Sequence, residues 1–269
     1  NVGRGVEAAL APNHDLKLIA VLTRRDPGTV TPLEPATRVE SMDALDGMRD
    51  ELDVLILCGG SKDDLPVQGP ELAARFTTAD SFDTHPKIPQ YFAAVDAAAR
   101  AAGTTAGIAC GWDPGLFSIQ RLFGEAILPD GETHTFWGRG VSQGHSDALR
   151  RVRGVAGGVQ YTVPSPEAVS AARDGGGADL TTRDRHRRDC FVVLKEGADP
   201  DAVREAIVSM PDYFAPYETT VTFITADELA REHSGMPHGG FVLRRGATAP
   251  DSAQLIEFGL TLDSNPQFT

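Results

Sequence analysis

Arg24 and Arg25 stand directly after an apolar run that ends at Thr23, about twenty positions beyond Gly3. If Gly3 is the last glycine of a G-x-G-x-x-G turn opening a helix, the arginine pair sits where a nucleotide ribose is read. An acid there would bind the 2′-hydroxyl of NAD and repel a 2′-phosphate. Two guanidiniums instead attract the phosphate through charge-assisted hydrogen bonds and point to NADP. Taken alone, Gly3 also suits a simple helix entry, and an arginine pair is also what a solvated basic patch looks like. The first two glycines of such a turn would precede Asn1.

Two more loops of small residues follow apolar runs, Cys58-Gly59-Gly60-Ser61 and Gly111-Trp112-Asp113-Pro114-Gly115. In an open α/β sheet, ligands bind beyond the carboxyl ends of the strands, and small residues there let a cofactor approach the backbone. Metal chemistry is not indicated. His233 and His238 are badly spaced for one helical face, and no H-E-x-x-H occurs. Cys58, Cys110 and Cys190 are scattered and odd in number, which argues against a disulfide framework or zinc knuckle and for a reducing, cytoplasmic setting. Cys110 would be the nucleophile of a thiohemiacetal-forming dehydrogenase if a base lay beside it; it reads rather as a small, buried, inert thiol.

The elements that must position these groups follow from periodicity. Apolar runs at 16–23, 53–58, 78–82 and 104–110 read as strands, and the stretches 6–10, 72–76 and 88–102 as helices. The run 53–58 suits a parallel strand covered on both faces. This rhythm predicts a Rossmann-like, doubly wound parallel sheet of the α/β class over residues 1–115, the nucleotide-binding domain. Beyond it, strands at 134–137, 159–163, 190–194, 219–225 and 255–262 alternate, with helices at 166–173, 202–210 and 227–233. Residues 116–269 therefore form a second, mixed-sheet α+β domain. A Rossmann sheet normally begins with a central strand ahead of the glycine turn, and that strand is missing here, so the chain reads as truncated. The net charge of -13 disfavours nucleic acid or an anionic membrane as partner. No apolar run approaches the ~20 residues of a membrane span, and Asn1 does not open a signal peptide.

With the loops in place, the sequence resembles the meso-diaminopimelate dehydrogenase family along its whole length. The resemblance is carried by Ser81-Phe82-Asp83-Thr84-His85, Gly111-Trp112-Asp113-Pro114-Gly115 and His134-Thr135-Phe136-Trp137-Gly138. It continues through Ser142-Gln143-Gly144-His145-Ser146-Asp147-Ala148, Gly235-Met236-Pro237-His238-Gly239-Gly240 and Leu262-Asp263-Ser264-Asn265-Pro266. It implies a homodimer whose second domain holds substrate and partner. The implied reaction is NADP-dependent oxidative deamination of meso-diaminopimelate at its D-centre. Departures are few: Cys110 precedes Gly-Trp-Asp-Pro, Arg139 interrupts the usual Trp-Gly-Pro-Gly, and Lys62 follows Ser61.

The resemblance also implies residue roles. Asn1, Val2, Thr23, Arg24, Arg25 and Ser61 would line the NADP site. Trp112, Trp137, Gln143, Gly144, Thr162, Arg188, His238 and Asn265 would join Asp83 and Asp113 around the substrate. Asp113 would be general base and Asp83 its partner, both holding the reacting ammonium; as residues, both also suit turn or helix caps. The tryptophans would wall off water, though core packing would suit them too. Arg188 would clamp a carboxylate, its rival reading being a solvated basic face. Other readings that the residues leave open are a different NADP-dependent oxidoreductase, of semialdehydes or of D-amino acids broadly, and a non-catalytic NADP sensor.

Overall fold

The computed structural model describes residues 2–269, and the chain divides into two compact units. One holds the chain up to Ser118 together with Pro266–Thr269; the other is Ile119–Asn265.

The first unit alternates helices and short parallel strands: α1 (Val2–Leu10), β1 (Ala20–Thr23), β2 (Arg38–Ser41), β3 (Leu55–Leu57), α2 (Leu65–Ala73), β4 (Thr78–Asp80), α3 (Ile88–Ala102) and β5 (Ala106–Gly107). All pairings are parallel, as the βα rhythm requires, but the strands form two groups, β1–β2 and β3–β4–β5. β3 lies at the edge of its group, with Leu55 and Leu57 buried while Ile56 stays 42% exposed. Leu45, Leu65, Leu72, Phe76, Phe82, Tyr91 and Val95 pack with them into one core. Helix α3 starts on a proline in its first turn and stops at Gly103, whose φ of 71° is a left-handed cap that glycine adopts without strain.

The second unit is built on two sheets. Its elements are α4 (Phe117–Ile127, entering the unit at Ile119), β6 (Gly131–Trp137), β7 (Gly140–Val141), α5 (Gln143–Arg150), β8 (Val155–Pro164), α6 (Pro166–Asp174), α7 (Thr182–Arg185), β9 (His186–Leu194), α8 (Pro200–Val208), β10 (Glu218–Phe223), α9 (Ala226–Glu232), β11 (His238–Gly246) and β12 (Gln254–Leu262). One sheet has the order β10-β9-β8-β7 and mixes parallel with antiparallel pairs; the other, β12-β11-β6, is antiparallel. Backbone bonds from Gly138 to the carbonyl of Gly239 and from Val141 to that of Pro237 tie the ends of the sheets together. Ser165, Thr181, Asp199 and Thr225 accept hydrogen bonds from first-turn amides of α6, α7, α8 and α9, supplying partners these helix starts lack. A short helix α10 (Asn265–Phe268) closes the described chain.

The alternation expected along β12 is present: Ile256, Phe258, Leu260 and Leu262 are less exposed than Glu257, Gly259 and Thr261 between them. Strand β11, the centre of its sheet, was not expected. Its glycines and its paired Arg244 and Arg245 hide a strand pattern, yet Arg244 is only 5% exposed. The guanidinium donates to the carbonyls of Leu128 and Pro129 just past the end of α4, and to Thr133. A cation there meets both the unpaired carbonyls and the negative end of the helix dipole. Arg244→Met leaves those carbonyls buried without donors and is expected to lower unfolding stability by about 2–4 kcal/mol. A urea midpoint unchanged from wild type would contradict this.

Candidate functional site

In the first unit, the parallel order β3-β4-β5 brings three loops to one carboxyl edge: 58–64 after β3, 81–87 after β4 and 108–116 after β5. Ser61 lies in the first loop and Asp83 in the second, and the two loops are joined where the Asp83 backbone N–H donates to Ser61 Oγ at 3.1 Å. Asp83 is exposed, Asp113 half-buried and Trp112 buried, its ring edge-on to Phe117 at 5.2 Å. Gly115 has a φ of 113°, and a Cβ there would lie 2.9 Å from the Ala109 carbonyl oxygen, so the turn around Asp113 requires glycine.

Arg24 and Arg25 are exposed just beyond β1, with Thr23 Oγ1 accepting the Arg25 backbone N–H at 3.1 Å. Arg24 is paired with Asp64 at 2.6 Å. The Gly60 N–H and then this guanidinium hold the Asp64 carboxyl below its usual range. Val2 opens α1, and Asn1 lies outside the described residues. Cys110 is exposed rather than buried as expected, because it stands in the open loop after β5. Partial desolvation, with the charge of Asp80 behind it, raises its pKa, which disfavours a thiolate nucleophile.

In the second unit the centre is Arg188. It lies opposite Thr162 in the β8–β9 register, donates to Thr162 Oγ1, and stacks over the Tyr217 ring at 3.8 Å from its centroid. It is 6% exposed, its Nε has no partner, and no carboxylate pairs with it among the described residues. An unneutralised guanidinium in such a place is costly, so the arrangement is suited to an anionic ligand.

Three histidines surround this cation in its electrostatic field. Burial first, then Arg188, push His145 and His186 down to about 3, and burial and Arg188 also lower His238. The Trp137 N–H donates to His186 Nε2 at 2.9 Å, so the neutral ring carries its proton on Nδ1, and the two rings stack at 5.2 Å. His145 bonds Ser142 Oγ through Nδ1 at 2.8 Å, while its buried Nε2 has no partner.

His238 begins β11, accepting the Gly239 N–H at Nδ1, and a Cβ on Gly140 would come 2.5 Å from its Cγ. That contact explains the glycine two positions after Gly138. The Asn265 N–H donates to the Met236 carbonyl at 2.9 Å, drawing Asn265 toward the 236–238 turn. Gln143 and Gly144 form the first turn of α5. Arg139, the departure in the Trp-Gly motif, lies over the Tyr161 ring at 4.4 Å and pairs with Asp189 at 3.2 Å.

The structure thus brings Thr162, Arg188, Trp137 and His238 around one buried charge. It adds Tyr217, His186 and His145, which sequence reasoning did not select. His145 stood inside the marked segment 142–148; His186 and Tyr217 lay outside every marked segment. Among the described residues no cluster of three or more His, Cys, Asp or Glu could hold a metal ion, and no helix is long and apolar enough to cross a membrane.

A parallel α/β unit with small-residue loops at its carboxyl edge, and a mixed-sheet unit with a buried unpaired guanidinium, together define a nucleotide-dependent oxidoreductase of two domains. Residues 111–264 match the family model described as Diaminopimelic acid dehydrogenase C-terminal domain. The chain is 57% identical over 269 residues to a meso-diaminopimelate D-dehydrogenase of Ureibacillus thermosphaericus, covering all of this chain and 82% of the relative. A solved meso-diaminopimelate dehydrogenase variant of Clostridium tetani, with DAP, superposes with a TM-score of 0.90 at 49% identity, over 100% of this chain and 82% of that one. An engineered D-amino acid dehydrogenase bound to NADP+ gives a TM-score of 0.85 at 42% identity, with the same shares covered. The chain belongs to the diaminopimelate dehydrogenase family.

The histidine pKa values carry a pH signature. Because the folded value of His186 lies below the ordinary 6.5, the stability conferred by its neutral form is complete above pH 6.5 and is lost as pH falls from there toward 3. The melting temperature is expected to fall between pH 7.5 and 5. His186→Gln, which keeps an acceptor for Trp137, is expected to reduce the slope by up to about 1.4 kcal/mol per pH unit. An identical slope in the variant would show that His186 is not the titrating group.

Proposed function

We propose that this chain catalyses the reversible, NADP-dependent oxidative deamination of meso-2,6-diaminopimelate at its D-centre, giving L-2-amino-6-oxopimelate and ammonia, a step of lysine and cell-wall precursor synthesis. The observation that carries the reading is the buried, carboxylate-free Arg188, a holder for one end of a dicarboxylic substrate. The Clostridium tetani variant supports it. Its six substituted residues are a Gln, a Thr, an Arg, a Pro, a His and an Asn, the same types at the same spacing as Gln143, Thr162, Arg188, Pro237, His238 and Asn265 here.

The first unit would hold NADP and the second the substrate. The loops suit the nucleotide: Ser61 and its neighbouring glycines offer a small-residue approach, Val2 opens α1, and the exposed Arg24 and Arg25 just after Thr23 offer charge to a 2′-phosphate. The chemistry that bound NADP would supply there is a hydride acceptor for the substrate α-carbon. Asp113, with Asp83 beside the ammonium, takes the proton that leaves the nitrogen and later directs water onto the imine carbon, from which ammonia departs. Trp112 and Trp137 keep bulk water from the α-carbon, and Gln143, Gly144, Thr162, Arg188, His238 and Asn265 fix the rest of the substrate so that only the D-centre presents its hydrogen.

The working form would be a homodimer in the cytoplasm. Ile119, Leu122, Phe123 and Ile127 are each about half or more exposed on α4, and β12 beside them is a sheet edge with Leu255 also exposed, a surface a second copy would cover. All three cysteines are free thiols, as a reducing compartment maintains them.

NADPH absorbance followed with NADP and meso-diaminopimelate, against the LL and DD isomers and D-alanine, tests the reading. Turnover with the meso isomer is expected. Activity on D-alanine as well would mark a broad D-amino-acid dehydrogenase, and tight NADPH binding with no turnover would leave a sensor. Arg188→Met is expected to raise the KM for diaminopimelate by about 100-fold, in line with removing a charge-assisted contact, without moving that for NADP. Arg24→Ala with Arg25→Ala should do the reverse, and unchanged NADP affinity in that double variant would remove the arginine pair from the site.

A further inference from the structure

We propose that Asp80 is a positioning residue whose carboxylate fixes the loops bearing Asp83 and Asp113 in a single mutual geometry. This inference rests on the roles given above to those two aspartates.

Asp80 ends β4 and is 4% exposed. One carboxylate oxygen accepts the N–H of Phe82 at 2.9 Å, in the loop that leads to Asp83, and the N–H of Ala109 at 3.1 Å, in the loop that leads to Asp113. Its backbone carbonyl accepts the Cys110 N–H at 2.8 Å, so the second loop is held at two successive residues. The other carboxylate oxygen accepts the Tyr91 hydroxyl of α3 at 2.6 Å.

No cation pairs with this buried carboxylate among the described residues; it is satisfied by neutral donors alone. Burying a charge costs stability that a neutral residue would not forgo, so its contribution must be sought in the shape it imposes. Ala109 shows what that shape is. Its φ of 55° is left-handed, a conformation rarely held by residues other than glycine, and its N–H is the one directed at Asp80. The carboxylate thus holds a strained residue four positions before Asp113.

The rest of the cluster holds the carboxylate. The Tyr91 ring stacks on Phe82 at 4.2 Å with an interplanar angle of 18°. A Cβ on Gly69 of α2 would lie 2.0 Å from the Tyr91 hydroxyl oxygen, so this glycine leaves the space the phenol fills. Burial, followed by the hydrogen bond to Asp80 and then its charge, raises the Tyr91 pKa, keeping the phenol a donor.

The test compares kcat, the KM for NADP and the melting temperature across variants of the whole chain. Asp80→Ala, which strands both loop amides, is expected to lower kcat about 10- to 100-fold, the scale of a small misplacement of reacting groups. The KM for NADP should stay within about threefold, because Arg24 and Arg25 lie beyond a different strand. Asp80→Asn keeps an acceptor oxygen for both amides and is expected to restore most of kcat.

Val95→Ala, a cavity in the same core from a residue 3% exposed, supplies the control: lower melting temperature, unchanged kcat. If Asp80→Ala fails to fold, Asp80→Thr, with one oxygen for two, takes its place. A kcat in the Ala or Thr variant no lower than in Val95→Ala overturns the proposal. So does a loss in Asp80→Asn as large as in Asp80→Ala. Asp83→Asn and Asp113→Asn are measured alongside; wild-type kcat in both would sink the site reading itself, whatever Asp80 does.

Discussion

A guanidinium buried without a counter-charge sets the terms for the second unit. Arg188 is kept from water by β8, β9 and the Tyr217 ring, and it donates to the Thr162 hydroxyl. Burial first, and the field of Arg188 second, hold His145, His186 and His238 below their ordinary pKa, so their rings are neutral near physiological pH. Neutral imidazoles can accept hydrogen bonds, and His186 does so from the backbone of Trp137. Burial and this uncompensated charge thus act in the same direction on the protonation of the residues around the proposed substrate.

The first unit solves a different problem, with a buried anion in place of a cation. Here the charge is fully satisfied by backbone amides and a phenol, and it organises loops rather than receiving a ligand. The two units thus use buried charge in opposite ways. A satisfied charge makes structure rigid, and an unsatisfied one makes a receptor.

Much of this was legible in the sequence where local pattern and tertiary structure agree. The helix 88–102 was readable to the residue, because its proline start and glycine stop bracket an apolar stripe. The strands β8, β9 and β12 were found with boundaries a few residues short. What stayed hidden were elements whose character comes from contacts distant in sequence. β11 contains a buried arginine that is at home only because Leu128 and Pro129 lie beside it, and α4 keeps its apolar residues on an exposed face. Among site residues, the family resemblance led to Arg188 and Thr162, whose pairing across β8 and β9 needs a register no local pattern gives. Tyr217 lay outside every motif, and nothing in its own segment marks it. Cys110 was misjudged because a free cysteine is usually buried, whereas the loop after β5 leaves this one open.

The fit of Tyr91 against Gly69 reaches beyond this one chain. Two positions on different helices share a volume that a single methyl group at 69 would overfill, with ring carbons as well as the hydroxyl oxygen inside contact distance. Neither can drift independently: a side chain gained at 69 demands a smaller one at 91, and that smaller one forfeits the hydroxyl that Asp80 receives. Over evolutionary time the pair is expected to behave as one inherited character, visible across descendants as covariation between a glycine and a tyrosine that no catalytic motif contains.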